Sequence, residues 1–194
     1  MKELIELANK IKDKKLRDKT IKMLENPEMS NPEIVYTAAK FDEIPAWVGL
    51  HHDYKGGQAE HTVSVAKIAL DLAEHFEEDY KAKINKDFLI SGALLHDIGK
   101  VFLLKKSGNG WGFTGLTLDH AHLGAAMLFA KGFPEEVIHI VAAHGGDQGQ
   151  QGANPRTLEA ILVFYADIAD TAIETAVHGA PKIQFLLMPE GEEK

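Results

Sequence analysis

The sequence predicts an all-α protein, a helical bundle with a metal site in its interior. Three observations carry this: apolar residues recur at helical spacing in one segment after another, strand-like alternation is nowhere sustained, and histidines and aspartates fall at the ends or on the inward faces of those segments. At 194 residues with 45% hydrophobic composition, one well-buried domain is expected over 1–194, its core running from about 5 to 180 and its tail from 181 to 194.

The elements follow in chain order. Leu4, Leu7, Ile11, Leu16, Ile21 and Leu24, set among lysines and glutamates, predict one or two amphipathic helices over roughly the first 25 residues. Asn31-Pro32 is read as opening a short helix that ends before Pro45. From Gly57 to about Tyr80, His61, Val65, Ile68, Leu72 and Phe76 recur at helical spacing, which puts His61 on the inward stripe. Lys86 to Ile98 is apolar on nearly every face, as a central helix should be, with Gly99 as the residue just past its C-terminus.

Residues 105–117 hold four glycines with Trp111 and Phe113, which suits a loop or small hairpin. Such a segment could form a flap over a site or a surface connection anchored by Trp111. Asp119 can cap a helix to about Lys131 closed by Gly132, and Pro134-Glu135-Glu136 makes a good first turn for the next, in which Val137, Val141 and His144 share a face. Residues 145–154 read as a Gly/Gln-rich loop. Asn154-Pro155 then starts a last long helix that carries Asp167 and Asp170 and ends near Gly179; the tail from Glu190 is expected to be disordered.

Composition removes several classes of function. With no cysteine there can be no disulfide, thiolate metal site or cysteine nucleophile, so any metal must be held by nitrogen and oxygen. Acidic residues outnumber basic ones by 29 to 21, a formal charge of −8, which argues against a broad surface for long nucleic acid while leaving small anions possible at a metal-filled pocket. The N-terminus lacks the apolar region of a signal peptide, and no apolar run approaches the ~18 residues of a membrane span. A cytoplasmic protein without membrane attachment is therefore expected. The oligomeric state is left open.

The most informative residues are His96-Asp97, within Leu94-Leu95-His96-Asp97-Ile98-Gly99-Lys100. Two such side chains beside Phe88, Leu89, Ile90 and Ala93 are costly to bury without partners, and a divalent cation would satisfy them. In order, the candidate ligands are His61, the His96-Asp97 pair, His120, His144 and Asp167, each of the five on or at the end of a different predicted helix, so a bundle can bring them to one point. Adjacent helical residues point about 100° apart, and a carboxylate has two oxygens, which favours a two-metal site bridged by Asp97. Imidazole and carboxylate ligands suit Mn, Fe, Co, Ni or Zn better than Mg or Ca alone. His122 could compete with His120 as the ligand. His75, His139 and His178 are read as structural; His51 is left open.

The order of these residues resembles the HD superfamily of metal-dependent phosphohydrolases. His51-His52-Asp53-Tyr54-Lys55-Gly56-Gly57-Gln58-Ala59-Glu60-His61-Thr62, then His96-Asp97-Ile98-Gly99-Lys100, His120 with Gly124, His144-Gly145, Pro155 to Ala160, and Asp167 with Asp170 are similar to the HD module of bacterial 3′→5′ exoribonucleases. The pairing of His120 with Gly124 in this resemblance favours His120 over His122 as the ligand. The resemblance implies that His61, His96, Asp97 and Asp167 make a first metal site, and that His120 and His144 complete a second. It implies hydrolysis of a nucleotide, or of another phosphate mono- or diester, by a water that one or two cations activate while polarising a phosphoryl oxygen. The partner is then a small phosphorylated substrate, such as a nucleotide or short oligonucleotide.

Lys100 could hold a phosphate as a point charge or assist the leaving group, or be a solvated helix-end cation. Lys55, His52 and Arg156 are further candidates for substrate contact, and Asp170 for orienting a ligand. Two residues depart from the family pattern: Gln58 stands where relatives carry an apolar residue, and Ala143 where they carry a second histidine. No segment here resembles the oligonucleotide-binding domain that precedes the module in those exoribonucleases, so processive RNA degradation is not expected. The same ligands could serve a di-iron oxygenase of this fold, and a metal-retaining nucleotide-binding module without turnover is a third reading.

Overall fold

A computed structural model of the chain describes residues 1–145 and 153–178. The charged, amphipathic N-terminus forms α1 (Lys2–Ala8) and α2 (Lys14–Glu25), with Leu4, Leu7, Leu16, Met23 and Leu24 turned inward. Asp13 starts α2 by accepting the Leu16 N–H at 2.9 Å. The expected long helix is α3 (Gly57–Tyr80), whose buried stripe includes His61, Val65, Ala69 and Ala73. In α4 (Lys86–Leu95), Asn85 caps the N-terminus through the Asp87 and Phe88 N–H groups.

The most apolar segment becomes the hub. All residues from Leu89 to Leu95 are buried, and α4 packs against α1, α2, α3, α7 (Glu135–Ala143) and α8 (Leu158–His178). Beyond α4 the chain runs through the His96-Asp97 turn into α5 (Lys100–Leu103), then an antiparallel hairpin of β1 (Leu104–Ser107) and β2 (Gly110–Phe113), in which Leu104 opposes Phe113. The hairpin reading of this segment holds. It is followed by α6 (His120–Ala130), capped by Asp119 as expected and closed by Gly132 at φ +66°. Among the described residues no helix is long and apolar enough to cross a membrane.

Three expectations are corrected. Residues 31–44 are not helical. Phe41 and Ile44 anchor this stretch in the core, and the Ala39 N–H bonds the Val101 carbonyl at 2.7 Å, a long-range partner in place of the i−4 carbonyl a helix would offer. The central helix stops at Leu95, short of Ile98. The last helix begins at Leu158, three residues beyond Pro155, where the Thr157 hydroxyl accepts the Ala160 N–H at 3.2 Å. Most of the 145–154 loop and the C-terminal tail lie outside the described residues.

Gly99 also has a different reason to be glycine. Its φ of −64° is ordinary right-handed backbone, so it is no left-handed helix terminator. A methyl there would instead sit 2.2 Å from the His120 carbonyl oxygen. The missing side chain is what lets the start of α6 lie directly on the turn that carries His96 and Asp97. Gly124 serves the same contact one turn later, where a Cβ would meet Val141 at 3.0 Å and Ile98 at 3.3 Å.

Candidate metal centre

Each imidazole of the cluster is aimed by its neighbours. His96 lies just past α4 and His144 just past α7, and both use one device: Nδ1 donates to the carbonyl three residues back, Ala93 at 2.8 Å and Val141 at 2.7 Å. A carbonyl only accepts, so Nδ1 carries the proton and Nε2 presents a lone pair to the interior. His61, in the second turn of α3, reaches the Asp170 carboxylate through Nδ1 at 2.7 Å and turns its Nε2 toward the same point. His120 sits at the first position of α6.

These nitrogens meet around Asp97. Its Oδ2 lies 3.6 Å from His61 Nε2 and 3.3 Å from His96 Nε2, while Oδ1 lies 3.3 Å from His120 Nε2 and 3.5 Å from His144 Nε2. Asp167 Oδ1 joins the first group, 3.2 Å from His61 Nε2. The six sequence-selected residues therefore come together as two donor groups sharing one carboxylate. Within each group two Nε2 atoms stand 3.3 Å apart (His61, His96) or 3.1 Å apart (His120, His144). Ring nitrogens facing each other at that distance beside carboxylates call for positive charge between them, and a divalent cation with nitrogen and oxygen ligands fits this donor set.

The electrostatics agree. Burial opposes a charge on His61, yet hydrogen bonds to Asp167 and Asp170 outweigh it and raise its pKa to about 9. Burial likewise opposes ionisation of Asp97, but Lys100 and His96 hold it well below the usual carboxylate range. His120, dehydrated and close to Lys100 and His144, is pushed down to about 3 in spite of Asp97. The ammonium of Lys100 is buried, donates to Asp97 Oδ2 at 2.6 Å and lies 5.4 Å from the centre of the Trp47 ring. Lys100 is thus no solvated helix-end cation.

The other selected residues sit elsewhere. His52 is buried behind the cluster, its ring centre 5.5 Å from that of His61 and its Nε2 3.8 Å from Asp170 Oδ2. Lys55 and Arg156 are exposed; Arg156 gives its backbone N–H to His139, and among the described residues neither side chain bonds the cluster. His75 and His178 pair with acidic neighbours on their own helices, and His122 with Asp119.

Two residues at the centre were not singled out for it in the sequence. His51 is buried with its ring 4.9 Å from that of His61, and burial together with Lys100 lowers its pKa to about 3. The fold brings it there because the 51–57 turn doubles back onto α3, with Gly56 at φ +88° and Gly57 so close to His52 that a Cβ would meet its carbonyl oxygen at 2.0 Å. Gln58 donates through Nε2 to Thr62 at 3.0 Å and to Asp97 Oδ2 at 3.1 Å, while its Oε1 is buried without a partner. The signals were present in the His51-His52 pair and in the departure at Gln58; only their spatial neighbours were not.

A family model described as "HD domain" matches residues 59–172. The dihydroneopterin 2′,3′-cyclic phosphate phosphodiesterase of Methanocaldococcus jannaschii is 46% identical over 175 residues, covering 89% of this chain and 70% of that protein. The 3′-5′ exoribonuclease YhaM of Oceanobacillus iheyensis is 30% identical over 177 residues, and that of Listeria monocytogenes 29% over 146. This chain spans 54% and 44% of their lengths. No solved structure gives a significant match. The relatives are named as phosphodiesterase and exoribonucleases, which favours hydrolysis over oxygenase chemistry. The chain belongs to the HD domain family and is a metal-dependent phosphohydrolase.

Proposed function

We propose that this protein is a phosphodiesterase for a small phosphorylated molecule, with 2′,3′-cyclic phosphates as the first class to test. One observation carries the reading: the two oxygens of Asp97 face two separate groups of imidazole nitrogens, the arrangement a pair of cations acting on one phosphate requires. The 46% identity to a cyclic phosphate phosphodiesterase supports the substrate class. In this reading His61, His96, Asp97 and Asp167 hold one ion, and Asp97, His120 and His144 a second.

Bound there, a transition metal would supply Lewis acidity toward the phosphoryl group and acidify a water. The residues of the chain do the rest. Asp170, bonded to His61 Nδ1, fixes that ring so that Nε2 stays turned inward. Gln58 and Lys100 hold Asp97 Oδ2 in place, and Lys100 adds a positive charge beside the phosphate. The cluster is deeply buried except at His120 and Asp167, whose side chains are 22% and 21% exposed, so the substrate approaches across that edge. In the reaction a water oxygen joins phosphorus, one ester P–O bond breaks, and the proton lost by the water ends on the departing alkoxide. Lys55 and Arg156 have no part in this reading.

The test is to strip metal with a chelator, restore Mn²⁺, Fe²⁺, Co²⁺, Ni²⁺ or Zn²⁺ singly, and assay cyclic, linear and monoester phosphates. Cleavage of a diester with at least one metal is expected; no phosphate-ester cleavage with any of them would overturn the proposal. Metal removal is also expected to lower the melting temperature. Because the folded cluster binds the ion and the unfolded chain does not, restoring metal at a hundred times its Kd should return about 2.7 kcal/mol of stability. Asp170→Asn, which weakens the hold on His61, is expected to reduce metal affinity by about 10- to 100-fold, measured by competition with a chelating dye. An unchanged affinity would remove Asp170 from the design.

A further inference from the structure

We infer that Trp47 and Phe113 form an aromatic wall at the open edge of the metal centre, and that it selects phosphate esters carrying a planar heteroaromatic ring. The inference rests on the phosphohydrolase reading and adds a specificity element to it. His120 is one of the two cluster residues that reach solvent, and the half-buried indole of Trp47 stands directly beside it, ring centres 6.0 Å apart in an edge-on arrangement. Lys100 Nζ lies over the same indole at 5.4 Å. Trp47 also meets Phe113, whose ring centre is 5.7 Å away at an interplanar angle of 58°.

Phe113 is the last residue of β2 and is 51% exposed, a large apolar side chain that the hairpin carries to this edge and leaves open to solvent. Trp111, two residues earlier on the strand, packs against the core and beside its cross-strand partner Lys106, 5.4 Å from ring centre to Nζ. Residues two apart on a strand lie on one face, yet here only Phe113 reaches the wall, because it pairs with buried Leu104 at the root of the hairpin while Trp111 is nearer its tip. A phosphate placed at His120 can thus extend a ring onto the free face of Phe113, with Trp47 along its edge. A sugar or short aliphatic linker would separate ring from phosphate. Stacking of this kind is sequence-tolerant and strong enough to set specificity, since any planar base offers a π-face.

The test separates ring recognition from turnover. The chain has two tryptophans, so Trp111→Phe leaves Trp47 as the single reporter. Adding 2′,3′-cyclic AMP to that metal-loaded variant is expected to quench or shift Trp47 fluorescence, while cyclic glycerol phosphate, which has no ring, is not. In kinetic assays Phe113→Ala and Trp47→Leu are expected to lower the ratio of kcat/KM for 2′,3′-cyclic AMP over cyclic glycerol phosphate by about tenfold or more, mostly through KM. Trp47→Phe, which keeps a ring, should retain most of the ratio. Equal responses of Trp47 to both ligands, or variants that impair both substrates alike, would overturn the inference. A ring-dependent Trp47 response in a protein that cleaves no phosphate ester would instead sustain the wall and discard the hydrolase reading.

Discussion

Asp97→Ala is expected to abolish phosphoester hydrolysis and to leave purified protein with little or no bound metal. Among the described residues, Asp97 is the one whose atoms face both donor groups, Oδ2 toward His61 and His96, Oδ1 toward His120 and His144. Its loss removes a ligand from each proposed site at once. Cations of this kind contribute several kcal/mol of transition-state charge stabilisation. At about 1.4 kcal/mol per factor of ten, kcat/KM should fall by roughly a thousandfold or more.

The same substitution leaves the buried ammonium of Lys100 without its 2.6 Å partner. Breaking a buried pair from one side typically costs about 3 kcal/mol or more, so the melting temperature should drop as well. A second variant separates the two effects: Asp97→Ala combined with Lys100→Met, which replaces the orphaned charge by an apolar side chain of similar length, should regain stability while remaining inactive. Thermal unfolding, elemental analysis and a phosphodiester assay on the pair decide the matter. Full activity in Asp97→Ala would end the assignment of that residue to the metal centre.

Gly99→Ala is expected to destabilise the fold and displace His120 from the metal centre. The new Cβ would lie 2.2 Å from the His120 carbonyl oxygen and 2.9 Å from its carbonyl carbon and Cα, all backbone atoms with no rotamer to escape into. The first turn of α6 must then move, and with it the 3.3 Å approach of His120 to Asp97. Such overpacking costs about 3 kcal/mol. The displaced imidazole should also cost the second metal, so that metal content per chain falls by about half while the group around His61 is kept. Gly110→Ala is the matched control, because a Cβ there meets nothing within 4 Å and should leave stability near the parent value. A Gly99→Ala protein with parental stability and full metal content would show that α6 can slide without cost.

Local pattern explains why so much of the bundle could be read without coordinates. The 3.6-residue recurrence of Leu, Ile, Val and Ala from Gly57 to Tyr80 yields a helix with those bounds, and the Asp119 cap and the Gly132 stop bracket α6 as expected. Where expectation failed, a distant contact overrode local preference. The 31–44 segment has a helix-opening Asn-Pro pair, but its backbone finds a partner in Val101 and its anchors, Phe41 and Ile44, find the core. The same holds at the site. His61, His96, Asp97, His120, His144 and Asp167 stood out because burying them without compensation is expensive, whereas Trp47 carried no such signal and Gln58 stood out only as a departure, its role set by its neighbours.

By itself the sequence determined the helical class, the order of the ligand-type residues and the nitrogen-and-oxygen chemistry open to them, because these depend on side-chain identity and on spacing within a few residues. Tertiary structure alone decided which oxygen of Asp97 faces which imidazoles, that Gly99 is a contact and no terminator, that Lys100 is buried in an ion pair, and that Trp47 stands beside His120 with Phe113 next to it. Each of these joins residues far apart in sequence. Their separation in space is set by how the helices pack, a property of the whole buried core that no short window of the chain contains.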